Sequence, residues 1–192
     1  MPPQFFAMNK LTIALIVISG NLQCSGQGIN NIWITGYDNG SGAGFGNSFF
    51  NFSFQPVAIS QQNCSLNFDR TCATISDSAG NLLFYTNGFA VFNALFDTMP
   101  NGRGLDSSSV LNNFYFGSPL AQGALILPAS NNNSAYYLFH ESVEVTSWPG
   151  ILTYAPRDLF YSLIDMTADS GRGDIIIKEQ TIFTLPVFPP AP

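Results

Sequence analysis

After residue 28 the apolar residues do not recur at the three- and four-residue spacing of an amphipathic helix. They come in short runs cut by Gly, Asn, Asp and Ser, the punctuation of β-strands and turns. The runs predict strands at "NIWITG" (31–36), "CATISD" (72–77), "NLLFYTNG" (81–88) and "AVFN" (90–93). More follow at "GALILPA" (123–129), "AYYLFHESV" (135–143), "LFYSLIDMT" (159–167) and "DIIIKEQTIF" (174–183). Within them, "LLFY" and "ALIL" do not alternate between apolar and polar. A strand reads that way when both of its faces are covered, as where sheets stack face to face.

A weak internal repeat is visible. Ala73 and Ile75 align with Ala124 and Ile126 at an offset of 51, and Leu83, Phe84 and Tyr85 align with Tyr136, Tyr137 and Leu138 at an offset of 53. The intervening turn is "DSAGN" in one copy and the longer "PASNNNS" in the other. A unit of about 50 residues holding some four strands has the size of a propeller blade. The expected fold is therefore all-β, an incomplete β-propeller-like array of antiparallel blades. A two-sheet β-sandwich is the alternative, because it shows much the same strands.

The polar insert Asp77–Asn81 sits between two strands that should pair as a hairpin. Asp opens turns through its side chain and Gly80 supplies positive φ, so the stretch reads as a turn. A calcium loop would need alternating oxygen ligands. This insert has one carboxylate, and its counterpart in the second copy has none.

Composition adds location. Charged residues make up 9% of the 192-residue chain, so its solubility rests on Asn, Ser, Thr, Gln and Gly. The net charge of −6, with no basic cluster, argues against nucleic acid. Lys10 precedes the apolar run "LTIALIVIS", and "GNLQCSGQG" follows it. That is the layout of a signal peptide, and the run is too short to span a bilayer. The domain reading is a signal peptide at 1–26, a partial β-propeller-like domain at 27–183 and a Pro-rich tail at 184–192. The protein is expected to be exported to the cell surface or secreted. Cys24 lacks the small residue that usually precedes a lipidated cysteine.

Candidate chemistry is sparse. Beyond the leader only Cys64 and Cys72 remain; they form either a short disulfide loop or two separate small hydrophobes. His140 is the single histidine, too few for a histidine-based zinc site, and no Gly-x-Ser-x-Gly elbow accompanies it. It reads as structural. Asp77, Asp165, Asp169 and Asp174 could in principle pair for glycoside hydrolysis, but no motif links them. "GRGD" at 171–174 resembles the tripeptide that animal integrins read and falls between two predicted strands. Most aromatics fall inside strands and read as core, while Trp148 and Tyr154 are the candidate ligand platform. No catalytic, metal or cofactor site is expected.

One stretch and its surroundings carry a resemblance. "ATISDSAGNLLFYTNGFAVFNALFDTMPNGRGL" resembles the N-terminal domain of the gliding-motility-associated, type IX-sorted surface proteins of gliding bacteria, which carry PKD-like modules downstream. The shared features run in order: "NNIWITG" at 30–36, the hairpin Ile75–Gly88, the aromatic-Asn step Phe92-Asn93 and the turn Met99–Gly102. An apolar strand ending at Pro128, the pair Tyr136-Tyr137 and the stretch Tyr161–Asp174 complete it. Residues 36–70 are longer and richer in Gly and Asn than the resemblance implies. It implies a propeller-like fold that continues into further blades, so this chain reads as the front of a longer protein or as a natural truncation. The function it implies is a non-enzymatic scaffold or interaction domain, with other surface proteins, surface glycans and downstream modules as partners. A carbohydrate-binding adhesin module and a fragment of a secreted hydrolase are the alternatives.

Overall fold

The computed structural model describes residues 28–37, 46–62, 64, 66–106, 117–148 and 151–186, with the side chains of 147, 148, 151 and 152 left aside. The predicted leader and most of the predicted tail lie outside these residues. Among these residues eleven strands form three antiparallel sheets. The first holds β1 (Ile32–Thr35), β2 (Asn47–Asn51) and β3 (Ala58–Gln62). The second holds β4 (Ala73–Ser76), β5 (Leu82–Thr86), β6 (Ala90–Asn93) and β7 (Thr98–Arg103). The third holds β8 (Ala124–Ala129), β9 (Asn132–Trp148), β10 (Ile151–Asp165) and β11 (Asp174–Thr184). Each sheet is a meander in which sequence neighbours pair, and none closes into a barrel.

All eight expected strands form. Three further strands, β2, β3 and β7, were not expected, and β7 replaces the turn anticipated at Met99–Gly102. Pro100 gives that segment its turn-like look, but an edge strand tolerates a proline because one side of it needs no ladder donor. A local kink remains, since Asn101 sits at φ 56° and the β6–β7 register shifts between Ala90 and Phe92.

The second sheet is the middle layer. Tyr85, Ala90 and Phe92 face the first sheet, where they pack with Ile34 and Phe49 and with Cys64, Leu66 and Phe68 of the connecting segment. Ile75, Phe84, Val91 and Met99 face the third sheet and pack with Ile126, Leu138, Ile164 and others. β5 and β6 thus send residues into both cores, Leu83, Phe84 and Val91 into one and Leu82, Tyr85, Ala90 and Phe92 into the other, which explains why "LLFY" does not alternate and why all of Ala90–Asn93 is buried. Aromatic contacts mark both interfaces: Phe84 meets Tyr136 edge-on at 5.6 Å, and Phe49 meets Phe96 at 5.6 Å.

The sheets stack with the same polarity. Their first strands neighbour one another, β1 against β4 and β4 against β8, while at the far edge β7 neighbours β11. Hydroxyl groups tie the first strands together: Thr74 Oγ1 donates to the Ile32 carbonyl at 2.6 Å. At the far edge Asn101 Nδ2 donates to Asp174 Oδ1 at 2.9 Å.

Asn and Asp side chains build the reversals. Asp77 Oδ1 accepts from the amides of Ala79 and Asn81, both at 2.9 Å, and Gly80 adopts φ 91°. Asn87 Oδ1 accepts from Phe89 and Ala90 between β5 and β6, and Asn93 Oδ1 accepts from Leu95 and Asp97 between β6 and β7. The insert 77–81 is thus a turn, packed so closely that a Cβ on Gly28 would lie 2.6 Å from the Gly80 nitrogen.

Candidate functional site

Among the described residues, two sheet faces of the stack have no layer against them. On the first sheet, Trp33, Phe50 and Ile59 stand directly opposite one another across three strands and make one apolar row on the outer face. Trp33 is 57% exposed and Ile59 66%, and Phe52 packs edge-on against the indole at 5.0 Å. On the third sheet two rows cross the outer face. Leu125, Phe139 and Tyr161 form one; Leu127, Tyr137, Leu163 and Ile177 form the other. Tyr137 touches Phe139 and Tyr161 at ring separations of 6.2 and 5.9 Å, so the rows make a continuous surface. Leu125 is 54% exposed. A hollow of about 340 Å³ lies on this face, lined by Leu125, Leu127, Phe139 and Leu159, with Glu141 also at its wall. Desolvation pushes the Glu141 carboxyl above its usual range.

Between these faces lies a groove of about 930 Å³ along the first strands. Trp33, Phe50 and Phe52 supply its aromatic wall, and Leu125 and Ile126 belong to the opposite side. Its polar groups, from Asn30, Thr35, Thr74 and Gln122, are uncharged. Cys72 also lines it; packing around its sulfur pushes the thiol up to about 11, although the residue itself reaches solvent, and Sγ donates to the Ile34 carbonyl. A thiol held that far above neutral pH is a poor nucleophile.

The expected site residues sort clearly. No disulfide joins Cys64 and Cys72 in the structure; Cys64 is buried and Cys72 is exposed. Tyr154 lies on the distal part of the β9–β10 hairpin opposite Val145, 38% exposed and apart from the groove. The backbone of Trp148 pairs with Ile151 at the tip of that hairpin, and its side chain lies outside the described residues. Of the aromatics weighed as a platform in the sequence, Trp33 lines the groove, together with Phe50 and Phe52, although its strand position read as core. Its one available signal was the alternation in "IWIT", which puts Trp33 on the face opposite Ile32 and Ile34.

His140 is buried and its Nε2 lies 3.1 Å from Ser162 Oγ. Burial, then the nearby Lys178 charge, pushes its imidazole down to about 4, which keeps it neutral. The carboxylates are engaged locally. Asp165 accepts from the Thr167 amide and hydroxyl, and Asp169 pairs with Arg172 at 2.8 Å. Asp174 accepts from Asn101. Asp77 is slightly desolvated, but donors from Asn81, Ala79 and Gly80 outweigh that and hold its carboxyl below the usual range. The "GRGD" segment is a tight reversal into β11, with Gly171 and Gly173 at φ 87° and 90°. Among the described residues no group of three or more metal-ligating side chains comes together, and no helix is long and apolar enough to cross a membrane.

No family model, curated protein or solved structure matches the chain.

Proposed function

We propose that the chain is an exported, non-enzymatic scaffold domain of the gliding-motility-associated type, one that holds neighbouring modules through the end faces of its sheet stack. The observation that supports this reading is the pair of apolar outer faces. Contiguous exposed apolar rows rimmed by polar residues are characteristic of surfaces that take partners. The carboxylates Asp77, Asp165, Asp169 and Asp174 are engaged locally, and the hydroxyl beside His140, Ser162 Oγ at 3.1 Å, is buried together with the ring. The resemblance at Ile75–Gly88 and Tyr161–Asp174, together with the "LTIALIVIS" leader, supports the surface location. Expression of the full chain in a gliding bacterium tests this: protease treatment of intact cells should remove it, and deleting residues 1–26 should make it resistant. Recovery of the full chain from the cytoplasm with Met8 as its first residue would refute export.

A second reading, binding of a neutral saccharide, has one observation of its own. Trp33 is an exposed indole in a groove whose polar groups are all amides and hydroxyls, a combination that suits stacking on a sugar ring. On this reading a glycan array should show binding to uncharged oligosaccharides that is lost with Trp33→Ala and kept with Trp148→Ala. Loss with Trp148→Ala alone would return the platform to the hairpin tip.

A further inference from the structure

The two end faces differ in shape. The first sheet offers a projecting indole, Trp33, on the row shared with Phe50 and Ile59. The third sheet offers a hollow of about 340 Å³ with Leu125, Leu127, Phe139 and Leu159 around it. Glu141 at the wall of that hollow supplies an acceptor for an indole N–H. One chain thus carries both a knob and a socket, on opposite ends of a stack whose sheets all point their first strands the same way.

We propose that two copies of this chain join head to tail, Trp33 of each seated in the Leu125–Leu159 hollow of the other, to close a ring of six sheets. The inference rests on the scaffold reading above and names its first partner. Three sheets per chain make six in a pair, within the four to eight sheets that radial β-rings contain. A head-to-tail contact either closes or runs on as a filament. Two copies close only if successive sheets, junctions included, are each turned by one sixth of a full circle.

The area agrees. The half-exposed Leu, Ile, Tyr, Phe and Trp side chains of each end face present roughly 400 Å² of apolar surface, near the largest patch a monomer usually shows. One such contact falls short of the roughly 800 Å² per partner of a stable interface. Closing the ring uses both faces of each chain at once and reaches it. The apolar rows set no like charges against each other despite the net charge of −6. In the ring β1, β4 and β8 of both copies line a central channel, and the groove beside Trp33 becomes part of its wall.

The test is the oligomeric state of the full chain, by light scattering coupled to size exclusion across a hundred-fold concentration range. Trp148→Phe leaves Trp33 as the only tryptophan and makes its emission a report on the socket. The expected result is a single species of twice the 20.8 kDa chain mass, with Trp33 emission shifting to the blue as it forms. Trp33→Glu or Leu125→Glu, each at an exposed position, should weaken association by at least about 30-fold, the size of a hot-spot loss. Scattering that grows without a plateau would refute closure. A monomer throughout, with Trp33 emission unchanged, would refute the pairing and leave the result of the surface-exposure experiment standing.

Discussion

At the residue scale, the polar side chains that replace charge in this protein are structural parts. The Asn-rich composition suggested a wet, uncharged surface, yet Asn47, Asn67, Asn87 and Asn93 are all buried. Asn47 Nδ2 donates to the Leu66 carbonyl at 3.0 Å and Asn87 Nδ2 donates to the Asn67 carbonyl at 2.9 Å, so they pin connecting segments onto the sheets. Burial also sets the behaviour of His140. Its folded imidazole titrates near 4 because burial and then Lys178 disfavour the cation, while the unfolded imidazole titrates near 6.5. Between those values the unfolded chain binds more protons. The stability held by the neutral ring is therefore complete above about 6.5 and drains away as the pH falls toward about 4. The full loss is on the order of 3 kcal/mol. Glu141 and Glu179, both raised chiefly by desolvation, act in the opposite sense. The comparison that isolates His140 is with His140→Gln, which keeps a partner for Ser162. Denaturation midpoints of the wild type should fall more steeply than those of the variant between pH 6.5 and 4. Parallel slopes would show that His140 does not set the acid limit.

At the scale of elements, strand positions were legible where the strand is apolar and bounded by turn residues, and hidden elsewhere. β4, β5, β6 and β8 satisfy that description. β3 (Ala58–Gln62) is exposed along its whole length and reads "AISQQ", so no apolar face announces it. β2 is held by its pairing to both neighbours, a relation between distant segments that local pattern does not carry. β9 and β10 run far past their apolar stretches because each supplies the other's hydrogen bonds along a paired ribbon from Ala135 to Trp148. The repeat was partly legible. Phe84 and Tyr137 both face onward along the stack, and Tyr85 and Leu138 both face back, but Leu83 faces onward while Tyr136 faces back, so the second-strand alignment holds for two of its three pairs. In the first strand Ile75 faces onward while Ile126 faces back, both into the same core. The offset of 51 therefore crosses the faces. A one-residue slip inverts a strand, and the shift in the β4–β5 ladder at Ile75/Ser76 is where the two copies fall out of step. Trp33 was misassigned for a related reason. Its strand is apolar on both faces, and the sequence does not tell an end sheet from a middle one.

At the scale of the whole molecule, the layering makes stability a sum of sheets and their interfaces, as in other stacked arrays. The middle sheet has both interfaces and each outer sheet has one. The cores of the two interfaces draw on different residues of that sheet: Tyr85, Ala90 and Phe92 on one side, Ile75, Phe84 and Val91 on the other. Local opening should follow this order. Backbone amides of β5 and β6 should exchange with deuterium most slowly. Those of β3, an edge strand exposed along its length, should exchange fastest. Truncations then separate the interfaces. Ile34→Ala removes a fully buried side chain from the first interface, at about 2–5 kcal/mol, and should speed exchange in β1 and β2 while leaving β9 and β10 protected. Phe84→Ala removes a fully buried ring from the second interface, at about 3–5 kcal/mol, and should speed exchange in β8, β9 and β10 as well as in β5. Both are measured in the Leu125→Glu background, so that self-association does not add protection of its own. If Ile34→Ala accelerated all three sheets equally, the chain would be one cooperative core rather than a stack. The end faces would then lose their meaning as unfinished interfaces, because a single closed core has no next layer to recruit.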